Sequence, residues 1–212
     1  MLPLVESFVS IQGESTQAGR KCFFLRLAGC NLACRYCDTR YAMSGGIGKS
    51  VGELADAAAS SGVKLVEITG GEPLIHAETP ELARELQRRG LEVMIETNGS
   101  LPIDTLPAGV RRIVDCKLPD SGMSERNLFD NYRVLTALDE VKFVISSRRD
   151  FEFALDVIAR FGLEDKTPNL LASPVWGAVA PAELAQWVID AASPLRFQLQ
   201  LHKVLWGEKR GV

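Results

Sequence analysis

The 212 residues are 46% hydrophobic and 24% charged, with a formal net charge of −3. Such a chain can close one continuous core, and it is too balanced to be an extended disordered tract or to offer a basic face to a nucleic-acid duplex. No run approaches the roughly 20 apolar residues of a membrane-spanning helix, and the start "MLPLVESFVS" has neither the basic head nor the long apolar stretch of a secretory signal. A cytoplasmic protein with no membrane and no nucleic acid among its partners is therefore expected. Five cysteines make an odd number, and three stand too close together for a secreted disulfide framework, which suits a reducing compartment.

In chain order, the first strand-length apolar run is CFFLRLA from Cys22. Others follow as KLVEIT from Lys64, LEVMIET from Leu91, RRIVDCK from Arg111, EVKFVIS from Glu140, NLLAS from Asn169 and RFQLQLHK from Arg196. Helical period marks the stretches between: SVGELADAAASS from Ser50, TPELARELQRRG from Thr79, ERNLFDNYRVLTAL from Glu125, RRDFEFALDVIARFG from Arg148 and PAELAQWVIDAA from Pro181. Thr79 reads as an N-cap with Pro80 and Glu81 behind it, and Gly90 as the stop. MSGGIGKS from Met43 reads as a flexible loop; its ending hints at a phosphate loop, but the first glycine of that motif is replaced by Met43 and no strand leads in. In the last run, alternation puts Gln198, Gln200 and His202 on one face of a strand and Phe197, Leu199 and Leu201 on the other. Strands alternating with helices predict parallel β/α units with functional groups at the carboxyl ends of the strands. About six such units are too few for a complete eightfold barrel. The expectation is an α/β fold, an abbreviated, partial TIM-like barrel with a wide mouth, formed by residues 1–212 as a single domain.

The chemistry concentrates in CNLACRYCDT, residues 30 to 39. Thiolates are soft ligands that select zinc, copper(I) or iron–sulfur clusters. A structural zinc site takes four protein ligands, and the one nearby candidate, Cys22, opens an apolar strand as a packing residue would. A dithiol pair of Cys34 and Cys37 leaves Cys30 idle. A four-iron cluster on Cys30, Cys34 and Cys37 uses all three thiols and leaves one iron open to an amine and a carboxylate of a small molecule. Three strand ends carry polar groups beside glycines: Thr69 to Pro73 (TGGEP), Glu96 to Ser100 (ETNGS) and Asp115 to Gly122 (DCKLPDSG). The first two also read as ordinary turns, but together the three have the layout of a site on a β/α barrel face. Cys116 alternates away from Lys117 and reads as packing.

Cys30-x3-Cys34-x2-Cys37, with Tyr36 before the last cysteine, and Gly70-Gly71-Glu72-Pro73 resemble the radical S-adenosylmethionine superfamily. Gln12-Gly13-Glu14, Arg26 ahead of Gly29-Cys30, Cys37-Asp38-Thr39, and His202-Lys203 with Leu205-Trp206-Gly207 resemble the 7-carboxy-7-deazaguanine synthase family over nearly the whole chain. The resemblance implies a lyase that contracts the ring of 6-carboxy-5,6,7,8-tetrahydropterin to 7-carboxy-7-deazaguanine by radical chemistry. Ammonia is lost, S-adenosylmethionine is regenerated, and the product leads toward the tRNA nucleoside queuosine. It implies a [4Fe-4S] cluster, S-adenosylmethionine and Mg2+ as cofactors, an electron donor such as flavodoxin or ferredoxin, and a homodimer.

By the same resemblance, Cys30, Cys34 and Cys37 hold the cluster and count with Glu96 as catalytic. Tyr36, Asp38, Gly70, Gly71, Glu72, Thr97, Lys117 and Ser121 meet S-adenosylmethionine, and Thr39 meets magnesium. Gln12, Gly13, Glu14, Arg26, Thr69, His202 and the terminal Val212 meet the pterin. The residue types suit these roles: a planar guanidinium binds a carboxylate in two places, although Arg26 could equally be half of a buried ion pair. His202 could equally make a structural hydrogen bond. One departure is Ser15, where the family often has glycine, which matters if that position needs a positive φ. The alternatives are an activating enzyme for glycyl-radical proteins, a zinc-stabilised interaction module and a simple iron–sulfur electron carrier.

Overall fold

Nine strands form one sheet in the computed structural model, which describes residues 1–212. The strands are β1 (Leu2–Ile11), β2 (Lys21–Leu27), β3 (Ile47–Lys49), β4 (Leu65–Gly70), β5 (Glu92–Thr97), β6 (Arg111–Asp115), β7 (Glu140–Ile145), β8 (Leu170–Pro174) and β9 (Arg196–Phe197). The helices are α1 (Val51–Ser60), α2 (Thr79–Arg88), α3 (Arg148–Phe161), α4 (Pro181–Asp190) and α5 (Leu201–Trp206). Spatial order is β3-β1-β2-β4-β5-β6-β7-β8-β9. β1 pairs antiparallel with both β2 and β3, and every pairing from β2 to β9 is parallel. Because β3 and β9 end the order without meeting, the sheet is open and no closed barrel forms. No helix is long and apolar enough to cross a membrane.

Parallel strands covered on both faces usually read as unbroken hydrophobic runs, and the two faces of this sheet depart from that rule differently. Phe23, Leu25, Leu27, Val66, Ile68, Val93 and Ile95 point outward into a core shared with α1 and α2. Val114, Val141, Phe143, Ile145 and Leu170 do the same under α3 and α4, with Cys116 packed among them. On the inner face, Cys22, Phe24, Leu65, Met94 and Ile113 make a small apolar floor, joined by Phe8 of β1; the Phe8 and Phe24 rings stack at 5.1 Å. Beyond that floor, toward the carboxyl ends, the inward positions become polar: Arg26, Glu67, Thr69, Glu96, Asp115 and Lys142. This switch makes a site out of what would otherwise be core.

Helix boundaries follow local chemistry. Ser50 caps α1 by accepting from the Glu53 amide, while the Glu53 carboxylate accepts from the Ser50 amide, a capping box. Ser147 caps α3, and Gly162 stops it at φ 57°.

Several expectations are corrected. Thr79 is the first residue of α2 rather than its N-cap, which is Glu78; the Thr79 hydroxyl donates instead to Pro73 O at 2.6 Å. The helix expected from Glu125 is two 3-10 turns, Ser124–Arg126 and Phe129–Val134. There Asn127 holds the Lys117 backbone N–H and C=O at 2.8 Å each, and Asn131 binds Gly99, Leu101 and Ile103. Amide side chains that bond distant backbone compete with a regular helix. MSGGIGKS is a loop only as far as Gly46, after which β3 pairs with β1. The run from Arg196 is a strand for two residues, then turns into α5, which carries His202. β1 itself, ten residues long, was not among the expected strands.

Candidate functional site

A cavity of about 500 Å³ opens on the inner face at the carboxyl ends of the parallel strands. Cys30, Cys34, Tyr36, Cys37, Asp38 and Thr39 form one wall, on the loop after β2. The three thiols are free and half-buried. The amide of Leu32 donates to Cys30 Sγ at 3.5 Å and the Asn98 side chain approaches it at 3.8 Å. Burial pushes the Cys34 thiol up, and Lys117 opposes that. No three His, Cys, Asp or Glu groups gather tightly enough to hold a single metal ion.

The TGGEP turn fastens this loop to the sheet. The Gly71 amide donates to Leu27 O at 3.1 Å and the Glu72 amide to Gly29 O at 2.7 Å. A Cβ on Gly70 would stand 2.0 Å from Leu27 O, and one on Gly71 would stand 2.0 Å from Gly29 O and 2.9 Å from Cys30 Cβ, so only glycine allows this approach. Thr69, Gly70, Gly71, Glu96 and Thr97 line the back of the cavity, and Lys117 its side.

Two expected residues lie off the cavity. Glu72 is fully buried, and its carboxylate accepts from Leu74 N at 2.9 Å, Thr97 Oγ1 at 2.9 Å and Asn98 N at 2.6 Å. It ties the TGGEP turn to the ETNGS turn and leaves no edge toward a ligand. Ser121 is also fully buried, donating to Leu118 O at 2.6 Å and accepting from Met123 N at 3.0 Å.

Gln12, Gly13, Glu14, Arg26, His202 and the terminal Val212 line the remaining wall. Arg26 Nε donates to Glu6 Oε1 at 2.7 Å, and Tyr41 donates to the same oxygen at 2.8 Å. Arg26 is thus half of an ion pair, as one sequence reading expected, and it also lines the cavity with its terminal nitrogens free of hydrogen-bond partners in the protein. Burial lowers His202 below the ordinary imidazole value, against the pull of Glu14, so its ring is neutral at neutral pH. Ser15 takes φ 63°, the left-handed region, and Gln198 secures it by accepting from its amide at 2.8 Å and donating to its carbonyl at 2.6 Å.

Most charges in the cavity are paired. Lys203 donates to Asp38 at 2.5 Å; burial would raise that carboxyl, but Lys203 brings it down to about 2. Lys117 donates to Asp115 Oδ2 at 2.6 Å, while the buried Asp115 Oδ1 has no partner. Lys142 donates to Glu14 at 2.9 Å and also to Glu96. Burial works against the Lys142 cation, and the two carboxylates outweigh it, holding its pKa well above the usual lysine value. Burial would raise Glu14, but Lys142 outweighs it and lowers the carboxyl. Glu67, Asp115, Lys142, Gln200 and Lys203 line the cavity without having been expected there. For Glu67 and Lys142 the signal was present in the charged letters inside KLVEIT and EVKFVIS, which interrupt runs that parallel strands would otherwise keep apolar.

Residues 25–118 match the family model described as the radical SAM superfamily. The chain is 41% identical to the 7-carboxy-7-deazaguanine synthase of Chlorobaculum tepidum, with 100% of this chain and 97% of that protein covered. It is 38% identical to the 7-carboxy-7-deazaguanine synthase of Koribacter versatilis over the full length of both. The crystal structure of QueE from Escherichia coli shares the fold, with a TM-score of 0.73 over 95% of this chain and 94% of that one at 23% identity.

Proposed function

The chain belongs to the 7-carboxy-7-deazaguanine synthase family of the radical SAM superfamily, and from that premise we propose how its one large cavity performs the synthase reaction. It is a lyase that takes 6-carboxy-5,6,7,8-tetrahydropterin to 7-carboxy-7-deazaguanine with loss of ammonia. The observation that carries the reading is that the three thiols and the Arg26 and His202 wall face the same cavity. The full-length synthase relatives favour this substrate over the glycyl-radical protein of an activating enzyme.

The residues present fit the implied cofactors. Soft thiolates without a fourth protein ligand suit a four-iron cluster, whose sulfurs sit on separate irons and need not crowd round one ion. Gly70 and Gly71 line the cavity beside Cys30, where a ligand can lie against their backbone. In this reading Cys30, Cys34 and Cys37 hold the cluster; Tyr36, Asp38, Gly71 and Lys117 meet S-adenosylmethionine, with Thr97 behind them. Thr39, whose hydroxyl donates to Asp38 at 2.9 Å, offers magnesium a hard oxygen alongside substrate oxygens. When bound, cluster and S-adenosylmethionine supply the one-electron chemistry that begins the ring contraction.

The chain's own groups bind, orient and keep water out. Arg26, aimed by Glu6 and Tyr41, takes the pterin carboxylate with its terminal nitrogens. Neutral His202 and the hydroxyl of Thr69 offer hydrogen bonds to the ring edge, with Gln12, Gly13 and Glu14 beside them and the Val212 carboxylate at the rim. Lys142 holds Glu14 and Glu96 in place through its hydrogen bonds to both. A flavodoxin- or ferredoxin-like electron donor, a second copy of the chain and a cytoplasmic setting complete the proposal.

Arg26→Ala tests it. The variant should keep its iron and its affinity for S-adenosylmethionine, yet bind 6-carboxytetrahydropterin at least about tenfold more weakly, a loss of roughly 1.4 kcal/mol. A tetrahydropterin without the carboxylate should bind variant and parent alike. Equal affinity of both proteins for the carboxylated pterin would remove Arg26 from the site.

A further inference from the structure

The acidic side chains in and behind the interior of the cavity all have a cation, with one exception; the exposed Glu208 and the terminal carboxylate of Val212, which also line it, are not among them. Glu6 is paired with Arg26, Glu14 and Glu96 with Lys142, Asp38 with Lys203, and Asp115 with Lys117. Glu67, on β4 and only 3% exposed, has none. It lies two positions before Thr69, so the alternation of the strand turns both side chains to the cavity, and both line it. Its one partner is the Gln12 side-chain amide, which donates to Oε2. That amide cannot be turned round without loss, because Gln12 Oε1 accepts from the Glu14 backbone N–H at 3.0 Å. Oε1 of Glu67 is left with no hydrogen-bond partner in the protein.

We propose that Glu67, as a neutral carboxylic acid, donates a hydrogen bond from Oε1 to an acceptor on the pterin ring and is thereby a substrate-recognition residue at the deep end of the cavity. The proposal rests on the reading of the cavity as a pterin site. The groups that face Glu67 account for its proton. From β2 come Cys22, whose own thiol burial pushes up, and Arg26, already committed to Glu6. From β5 comes Glu96, a like charge. From β7 comes Lys142, shared between Glu96 and the Glu14 of the loop after β1. Burial first, then Glu96, raises Glu67 to about 8, while Lys142, Gln12 and Arg26 only partly oppose. A buried carboxyl without a cation keeps its proton at neutral pH. With Oε2 accepting from Gln12, the O–H belongs on Oε1, and the amide edges of a pterin present a carbonyl and ring nitrogens able to accept it. A site that offers a buried donor discriminates strongly against a ring lacking the matching acceptor, since the donor is then stranded.

The test is the pH dependence of KM for 6-carboxytetrahydropterin, measured with the reconstituted holoenzyme between pH 6.5 and 9.5, for the parent and for Glu67→Gln. Below pH 8 the parent should show a constant KM. Above it, KM should climb by about tenfold per pH unit as one proton leaves, with KM rather than kcat carrying the change. Glu67→Gln, which retains a neutral donor, should lose that rise. A parent KM flat to pH 9.5, or a variant with the same alkaline rise as the parent, would overturn the assignment without touching the synthase reading. Absence of product from the parent at every pH would instead remove the synthase reading and the inference with it.

Discussion

A Cβ on Gly13 would stand 2.1 Å from Nδ1 of His202 and 2.9 Å from its Cγ, so the absence of a side chain in Gln12-Gly13-Glu14 is what lets the α5 imidazole reach the cavity. Gly13→Ala must push that ring aside, and overpacking of this kind costs typically about 1–3 kcal/mol. We expect the variant to fold with a lowered melting temperature and to show a raised KM for the pterin. Adding His202→Ala should restore the melting temperature and leave KM high; recovery of KM in the double variant would mean that His202 only packs. Ser15, three residues from Gln12, shows what a sequence can and cannot reveal about one position. Its departure from glycine pointed to the φ angle in advance. What it could not reveal was the remedy: a left-handed serine costs roughly 1–2 kcal/mol, set against both Gln198 hydrogen bonds and the Gln17 amide on its hydroxyl at 2.9 Å. Of those partners, Gln198 lies far away in sequence.

Elements built from local signals were legible, and those held by distant side chains were not. Each parallel strand begins or ends close to an apolar run read from the letters, and α1 starts at its capping serine. The stretch from Glu125 has helical period but spends Asn127 and Asn131 on backbone elsewhere, and the C-terminal run leaves the sheet because Gln198 and Gln200 bind the loop after β1. Gln200 donates to Glu14 at 2.9 Å, and Leu201 N to Gly13 O at 2.8 Å. Lys142 does for three elements what a strand pairing cannot, linking β7 to Glu96 of β5 and to that same loop. Lys142→Met should destabilise the protein by about 3–5 kcal/mol, because it strands two carboxylates without their cation. Chemical denaturation would measure this, and Lys142→Met with Glu14→Gln should recover part of the loss. A single variant within about 0.5 kcal/mol of the parent, the range of an ordinary surface substitution, would show that the network is not coupled across the strands.

At the level of the whole molecule, the open sheet and its polar inner face define the site together. A closed eightfold barrel fills its interior with side-chain layers; here the apolar filling stops at the floor of Cys22, Phe24, Leu65, Met94 and Ile113, and the order ends at β3 and β9. The open architecture was legible from the number of units, and the thiol wall and strand ends from their motifs. The pairings of the acid and base letters buried inside strands were not, because Lys142 finds Glu14 and Glu96 on elements distant in sequence. The measurement that bears most directly on the whole account is anaerobic turnover. The protein is reconstituted with iron and sulfide, then given S-adenosylmethionine, reductant, magnesium and 6-carboxy-5,6,7,8-tetrahydropterin, and the products are followed by mass spectrometry. The account requires 7-carboxy-7-deazaguanine and ammonia with no net consumption of S-adenosylmethionine, whereas cleavage of S-adenosylmethionine with the pterin unchanged would contradict it.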